Sequence, residues 1–420
     1  MGNSSRKQRL LCWSDSPLAG TGFATVSKHV LSSLYSTGKY DIHQLGINAQ
    51  GDFVDTNQVP WQIQPARLLD PNDPHGIKMF ERTLARVEYD IVWILNDIFV
   101  THEARDIVTR IKTKYSQSGK RPPLFVYYYP VDCKVNPWAT GMLDVADVLV
   151  CYTDHGRLET LKTIPSVESK LKQISHGVDT NVFRPAPRIL CAKWKSEFYG
   201  IGPETYLVLN LNRNSTRKQI PYTILAFKEF KKQVPNSVLY LHMVPQDQGG
   251  DLNKIVADSG LTREDVLFPS NFSLTNPLPV EYLNKVYNSA DMFLTTHLGE
   301  GWGLSITEAM ACGVPVVSPN NTCMPEQLGI NEERGYMYPC RDSIYVDSSG
   351  YRPKGYLEDI VSKMIEVYNA GPKESNPKVR AALEYAKSVD WGKIGVEWIK
   401  LFDDLTVLKN KAKRIQIESI

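Results

Sequence analysis

The fold is decided by one glycine-rich stretch, Gly299-Glu300-Gly301-Trp302-Gly303-Leu304-Ser305-Ile306-Thr307-Glu308-Ala309-Met310-Ala311-Cys312-Gly313-Val314-Pro315-Val316-Val317. Its first half predicts a loop, its second half has helical composition, and its last four residues predict a short buried strand. Because glycine has no side chain, the backbone N–H groups of Gly301, Trp302 and Gly303 can approach an anion. The start of the following helix adds a partial positive charge. The stretch therefore predicts a phosphate-binding edge of an α/β sheet.

Two glutamates flank this loop, Glu300 and Glu308, with seven residues between them. A carboxylate beside a phosphate would repel it, so these two side chains are expected to face neutral hydroxyls, such as those of a ribose or a sugar ring. The alternative is a loop before a core helix, with both glutamates on a solvated face.

The sequence from Glu300 to Glu308, followed by Ala-Met-Ala-Cys-Gly-Val-Pro-Val-Val, resembles the E-x7-E signature of family-four glycosyltransferases. The resemblance extends over about residues 10–405 and is strongest at residues 213–317. It implies an α/β chain with the GT-B fold, in which two Rossmann-like domains with parallel sheets face a central cleft. It also implies a C-terminal helix that crosses back to the first domain.

Composition agrees with two domains. A chain of 420 residues exceeds the usual single domain. Hydrophobic residues make up 42% and charged residues 22%, which is typical of a soluble globular protein, and a net charge of +2 neither favours nor excludes a polyanionic partner. The seven cysteines show no zinc-type spacing and predict reduced thiols in a cytoplasmic protein. No apolar run at the start is long enough for a signal peptide or a membrane span.

The first domain is predicted to open as a Rossmann-like unit, with a strand at 10–13, a loop at 14–22 and a helix at 23–35. Taken alone, Gly20 and Gly22 indicate no more than a turn between strand and helix. The resemblance places this loop opposite the donor phosphate and the reacting carbon, so both glycines are predicted to bind the donor.

Three further predicted strands of this domain, 90–95, 124–129 and 145–152, are each followed by an aspartate: Asp97, Asp132 and Asp154. Open α/β sheets bind ligands at such strand ends, although an aspartate there can instead cap a helix, the role we favour for Asp154. Many relatives carry a histidine in the loop after the second of these strands. Here that loop reads Tyr-Pro-Val-Asp, so Asp132 is predicted to take over the active-centre role.

The second domain is predicted to begin with a strand at 206–211, a loop and a helix at 221–234. Arg213 and Lys218 lie five residues apart in this loop, where they can neutralise a diphosphate. The arginine would bind it through two N–H groups of its guanidinium, and the lysine through the single charge of its ammonium group. A solvated basic turn is the alternative. No Asp-x-Asp motif follows a strand, so we predict that no metal ion is needed to neutralise the negative charge of the leaving group.

By resemblance, four residues are predicted to act in catalysis: Asp132, Glu300, Arg213 and Lys218. The predicted donor-binding residues are Gly20, Gly22, Arg213, Lys218, Glu300, Gly301, Trp302, Gly303, Leu304 and Glu308. Glu308 would accept hydrogen bonds from the ribose and Glu300 from the donor sugar. No cofactor is predicted besides the donor itself, a UDP- or GDP-linked sugar.

The predicted domain bounds are 1–186 for the first, acceptor-side domain, 187–204 for a linker and 205–390 for the nucleotide-sugar-binding domain. Residues 391–420 carry apolar and aromatic residues at helical spacing and end in a basic tail, and they are predicted to form the crossover helix.

The predicted reaction moves a hexose or pentose from a nucleotide-sugar to an acceptor hydroxyl of a glycan, a lipid, a protein, a small molecule or a hydroxylated nucleic-acid base. The E-x7-E pattern resembles that of the retaining enzymes, and this resemblance implies retention of the anomeric configuration, with the departing phosphate accepting the proton on the same face. Asp132 would be the base if the enzyme inverted instead. A nucleotide-sugar epimerase of the same fold and a non-catalytic nucleotide-sugar-binding protein are the alternatives.

Overall fold

A computed structural model describes residues 6–49, 59–270, 278–346 and 350–418 of the chain, with side chains up to residue 407. Within these ranges the chain forms two α/β units, each built on a parallel sheet. The GT-B architecture predicted from the sequence is confirmed.

The first sheet has seven parallel strands in the order β3-β2-β1-β4-β5-β6-β7. Its strands are β1 (Gln8–Asp15), β2 (Tyr40–Ile47), β3 (Gln62–Pro65), β4 (Ile91–Leu95), β5 (Leu124–Tyr129), β6 (Val148–Cys151) and β7 (Leu171–Gln173). Strand β4 is buried along its whole length. Such continuous apolar runs are required of parallel strands, because helices cover both faces of the sheet.

The helices around this sheet are α1 (Gly22–Ser36), α2 (Ile77–Arg86), α3 (Ile98–Thr101), α4 (Arg105–Gln117), α5 (Gly141–Val145) and α6 (Asp154–Thr163). Short 3-10 helices lie at Ala66–Leu68, His102–Ala104, Pro137–Ala139 and Pro165–Lys170. Thr21 caps α1, because its hydroxyl accepts a hydrogen bond from the Ala24 N–H at 3.1 Å. The strand β1, the loop and α1 therefore form the Rossmann-like opening that the sequence predicts.

The second unit begins with α7 (Arg188–Tyr199), which occupies most of the stretch predicted as a linker. Gly200 ends this helix in the left-handed conformation, at φ 65°. The helix packs against a later helix of the same unit, Val280–Ser289.

The second sheet has six parallel strands in the order β12-β9-β8-β13-β14-β15. The strands after β7 are β8 (Tyr206–Asn210), β9 (Ser237–Leu241), β10 (Gln246–Asp247), β11 (Gly250–Asp251), β12 (Val266–Leu267), β13 (Met292–Leu294), β14 (Val316–Pro319), β15 (Tyr336–Tyr338), β16 (Asp342–Val346) and β17 (Gly350–Lys354). Two antiparallel pairs, β10 with β11 and β16 with β17, lie outside this sheet.

The remaining helices are α8 (Ile220–Gln233), α9 (Leu252–Asp258), α10 (Val280–Ser289), α11 (Leu304–Ala311), α12 (Met324–Leu328), α13 (Leu357–Asn369), α14 (Pro377–Ser388) and α15 (Trp391–Glu418), with 3-10 helices at Thr216–Lys218 and Lys373–Ser375. Among the residues described, no helix is both long and apolar enough to cross a membrane.

The last helix, α15, crosses back onto the first unit and packs along α1. The ring of Trp391 stacks on that of His29, with 4.8 Å between centroids. The backbones approach so closely that a Cβ added at Gly395 would lie 2.3 Å from the Ser33 Oγ. The crossover helix predicted from the sequence is confirmed by these contacts.

Replacing Trp398 tests how much this crossover stabilises the fold. Its ring is fully buried, 5.5 Å from that of Trp93 and 4.7 Å from that of Tyr128. We expect Trp398→Ala to lower the free energy of unfolding by about 3–5 kcal/mol. Val396, on the same helix, is 64% exposed, and Val396→Ala should change stability by less than about 0.5 kcal/mol. Urea unfolding measures both, and equal midpoints for the two variants would contradict the packing described.

Candidate functional site

The glycine-rich loop lies between β13 and α11, at the carboxyl edge of the second sheet. Gly303 precedes α11 with φ at 85°, and no side chain caps this helix start. Its first backbone N–H groups are therefore available to a ligand. Across the cleft, the glycine loop of the first unit reaches the same helix, since a Cβ added at Gly22 would lie 3.5 Å from the Leu304 Cδ1. Of the predicted donor-binding residues in the two loops, Gly22 and Leu304 are thus brought together. Gly20 and Gly22 are both exposed.

Gly299 and Gly301 of this loop lie so close to the first unit that a side chain would not fit. A Cβ added at Gly299, which has φ at 147°, would lie 2.1 Å from the backbone oxygen of Asp132. One added at Gly301 would lie 2.8 Å from the Pro130 Cβ. Both glycines therefore allow the loop after β5 of the first unit to approach closely.

A buried group of charged side chains lies beside this contact. The Lys218 ammonium is hydrogen-bonded to the Glu300 carboxylate and, at 2.8 Å, to the Asn212 Oδ1. The Arg217 guanidinium lies 3.2 Å from the same carboxylate and 3.2 Å from that of Asp132. The structure thus brings together three of the residues predicted to act in catalysis, Asp132, Lys218 and Glu300.

Arg352 completes this group, which we call the cleft ion cluster: Asp132, Arg217, Lys218, Glu300 and Arg352. Its side chain is 5% exposed and comes from β17. The guanidinium donates hydrogen bonds to the Asp132 backbone oxygen at 2.9 Å and to Asp132 Oδ1 at 3.1 Å. Both carboxylate oxygens of Asp132 are therefore held by arginines of the second unit.

The charges in the cluster keep both acids ionised. Burial opposes the ionisation of Glu300, but Arg217 and Lys218 outweigh it and hold the pKa of this carboxyl well below its ordinary value. For Asp132, too, burial raises the pKa, and Arg217 and Arg352 bring it below its ordinary value. A carboxylate held in this way is a weak proton acceptor.

Arg213 is not part of the cluster. Its guanidinium forms a bidentate ion pair with Asp247 of β10, at 2.7 and 3.2 Å, and its side chain is half exposed. The position predicted for it beside Lys218 and the two acids is taken by Arg217. The sequence reading missed Arg217, although its place directly before Lys218 could have indicated it.

Glu308 lies on α11, mostly buried and apart from the cluster. Its carboxylate accepts a hydrogen bond from the Tyr287 hydroxyl at 2.7 Å. Burial raises the pKa of Glu308 to about 7, and the hydrogen bond from Tyr287 only partly opposes this. Trp302, at the centre of the glycine loop, is buried and its indole N–H has no hydrogen-bond partner among the described residues.

A second contact joins the two units at α6. The Glu326 carboxylate of α12 accepts hydrogen bonds from the backbone N–H groups of Asp154 at 2.9 Å and His155 at 2.8 Å. An acid at a helix start is stabilised by the partial positive charge there. The N-cap residue itself is Thr153, which bonds the Gly156 N–H at 3.1 Å, so the prediction that Asp154 caps this helix is wrong.

Residues that could bind a metal ion are not clustered in the described part of the chain. Within the described ranges, no group of three or more His, Cys, Asp or Glu side chains could hold a metal ion. The seven cysteines are all unpaired.

Comparison with known proteins finds a family match for most of the second unit. Residues 194–344 match the family described as glycosyl transferases group 1. The chain is 32% identical over 170 residues to a GDP-mannose-dependent alpha-(1-6)-phosphatidylinositol monomannoside mannosyltransferase of Mycolicibacterium smegmatis, covering 38% of this chain and 40% of that protein. It is 26% identical over 224 residues to a D-inositol 3-phosphate glycosyltransferase of Segniliparus rotundus, covering 53% and 44%. The matches thus span less than half the length of these curated relatives.

Solved structures share the whole architecture. A sucrose-phosphate synthase from Thermosynechococcus elongatus superposes with a TM-score of 0.70 at 17% identity, over 96% of this chain and all of that one. WaaG, a glycosyltransferase involved in lipopolysaccharide biosynthesis, superposes with a TM-score of 0.63 at 13% identity, over 93% and 98%. The chain therefore has the GT-B fold of these structures, and its residues 194–344 are similar to the group 1 glycosyltransferases.

Proposed function

We propose that the protein transfers a sugar from a UDP- or GDP-linked donor to an acceptor hydroxyl, with retention of the anomeric configuration and without a metal ion. The observation that carries the proposal is the buried contact between Lys218 and Glu300, next to the uncapped start of α11. A cation, a carboxylate and free backbone N–H groups then meet at one point of the cleft.

The cations of the cluster can stabilise the negative charge that the reaction creates on the leaving group. The bond between the anomeric carbon and the phosphate oxygen breaks, and its electron pair stays on the departing diphosphate. Lys218 and Arg217, with the N–H groups at the start of α11, already lie in the cleft before the substrate binds, so they can stabilise this charge once the diphosphate competes with Glu300 and Asp132 for them. Within the cleft ion cluster, three cations face two anions, which leaves one positive charge for the ligand.

The acids support retention. Asp132 was the candidate for an inverting base, but both of its oxygens are held by arginines. Glu300 is likewise committed to Lys218 and Arg217 and is a poor nucleophile. The new bond then forms between the acceptor oxygen and the anomeric carbon on the face that the phosphate leaves, and the acceptor proton passes to the departing phosphate oxygen.

Glu308 is proposed to bind the ribose. Tyr287 holds its carboxyl in place. A carboxyl with a pKa near 7 can donate a hydrogen bond as well as accept one, so it can bind a ribose hydroxyl in either protonation state. The role predicted for Arg213 remains a proposal, and it requires the arginine to exchange Asp247 for the diphosphate.

Lys218→Ala tests the proposed diphosphate site. Loss of a charge-assisted hydrogen bond of roughly 1.5–3 kcal/mol should weaken binding of UDP or GDP about 10- to 150-fold. Binding of uridine or guanosine should not change, because the nucleosides carry no phosphate. Lys254→Ala is the control, since Lys254 is exposed and pairs only with Asp258 of its own helix. Calorimetry measures the affinities of the wild type and both variants for the diphosphate and for the nucleoside, and an equal loss for the two ligands in Lys218→Ala would contradict the site.

Chelation tests the metal-free mechanism. Transfer measured over a panel of nucleotide-sugars, preselected by thermal shift, should keep at least half of its rate after treatment with EDTA. The same panel separates a transferase from an epimerase, which would change the donor sugar without transferring it, and from a binding protein, which would leave it intact. An absolute requirement for a divalent ion in a single-turnover measurement would contradict the proposal.

A further inference from the structure

Arg352 of the cleft ion cluster belongs to none of the sequence motifs, and it lies outside the family match, which ends at residue 344. It comes from β17, the second strand of an antiparallel hairpin. Its neighbour Tyr351 is 73% exposed, whereas Arg352 is buried. Because successive side chains of a strand point to opposite faces, the hairpin presents one face to solvent and brings Arg352 into the cleft on the other.

Arg352 binds a single residue of the first unit at two points. Its Nη1 donates a hydrogen bond to the Asp132 backbone oxygen at 2.9 Å, and its Nη2 donates one to Asp132 Oδ1 at 3.1 Å. The planar guanidinium can make both bonds at once. The contact requires a glycine at position 299, where an added Cβ would lie 2.1 Å from the same backbone oxygen and 3.2 Å from Arg352 Nη1.

The second partner of Asp132, Arg217, has different surroundings. Its Nε lies 3.2 Å from Asp132 Oδ2, and its Nη1 lies 3.2 Å from Glu300 Oε2. It directly precedes Lys218, in the proposed diphosphate site. By contrast, the side-chain hydrogen bonds of Arg352 to the described residues both go to Asp132. Of the two arginines, Arg217 is therefore the one that can exchange Asp132 for a diphosphate.

This exchange would leave Asp132 with one cation. Its side chain is 26% exposed, and a largely buried carboxylate without a partner is unfavourable. Arg352 keeps this charge paired, and so it lowers the cost of moving Arg217 to the diphosphate. Without Arg352, Arg217 would be the only cation bound to Asp132, and the donor would have to compete for it at full cost.

We propose that Arg352 is a positioning residue that holds Asp132 alone once the donor diphosphate has engaged Arg217. It acts through Asp132 rather than on the diphosphate. Its two hydrogen bonds also keep the loop after β5 attached to the glycine loop, so the two sides of the cleft stay in contact while the donor is bound. The inference rests on the proposed function, because it assumes the diphosphate site at Lys218 and Arg217.

The test measures the Kd for UDP or GDP by calorimetry in Arg352→Gln, with and without Asp132→Asn. Arg352→Gln should weaken binding about tenfold or more, the effect of one lost charge-assisted hydrogen bond. Asp132→Asn removes the carboxylate that needs a partner, so the double variant should bind within about threefold of the wild type. A residue that only supports the fold would not be rescued by this second change.

Arg341→Gln is the matched control. Arg341 directly precedes the same hairpin, is 60% exposed and pairs with Asp359. Exposed ion pairs contribute little, so the Kd of this variant should change less than about twofold.

Arg352→Lys keeps the test decisive if Arg352→Gln does not fold, which its melting curve reports. The lysine keeps the positive charge, but its ammonium lacks the planar geometry that binds the backbone oxygen and Oδ1 together. It should weaken diphosphate binding less than Arg352→Gln, and Asp132→Asn should restore the affinity in the same way. In that case, wild-type affinity in Arg352→Lys, or a loss that Asp132→Asn does not restore, would overturn the inference.

Two results with a folded Arg352→Gln would overturn the inference while the proposed function stands: wild-type affinity in this variant, or an equal loss in the double variant. In both cases Lys218→Ala would still weaken binding of the diphosphate. If the wild type binds neither UDP nor GDP, the proposed function fails and the inference fails with it.

Discussion

The cleft depends on one interaction, in which the Arg217 guanidinium lies between a carboxylate of each unit. It is 3.2 Å from Asp132 of the first unit and 3.2 Å from Glu300 of the second. Charges removed from water are costly unless each has a partner, and removing one member of a buried pair typically costs about 3–5 kcal/mol. Charge neutralisation therefore joins the two units at the cleft, in addition to the apolar contact of α15.

This arrangement couples ligand binding to the contact between the units. A diphosphate that binds Lys218 and Arg217 competes with Glu300 and Asp132 for the same cations. Asp132 belongs to the first unit, so a donor that draws Arg217 away weakens one bond between the units, and Arg352 is left to hold Asp132. Three carboxylates can lie near a site proposed for an anion because their negative charges are reduced. Two of them are neutralised by cations, and the third, Asp97, has a pKa near 7.

Much of the fold and part of the site could be predicted from the sequence, because both depend on local patterns. Buried strands, the glycine loop and the helix that follows it are encoded within short segments. Lys218 and Glu300 could be assigned to the same donor site because each follows a strand of the second sheet, although the ion pair between them was not predicted.

The parts that could not be predicted depend on contacts between distant segments. Arg352 reaches Asp132 across 220 positions of sequence, carried by a hairpin whose direction no local pattern indicates. The pairing of Arg213 with Asp247 depends on another short hairpin. Gly301 was predicted to admit an anion, but the close approach of the other unit to Gly299 and Gly301 is visible only once the fold is assembled.

The stereochemistry of the reaction tests most directly the claim that Asp132 is held by arginines and is not a base. Proton NMR of the first-formed product from an α-linked donor reports the configuration through the anomeric coupling constant. The account predicts an α-linked product from the wild type, and an α-linked product, formed more slowly, from Asp132→Asn. A β-linked product from the wild type, with no product from Asp132→Asn, would make Asp132 the base and contradict the account.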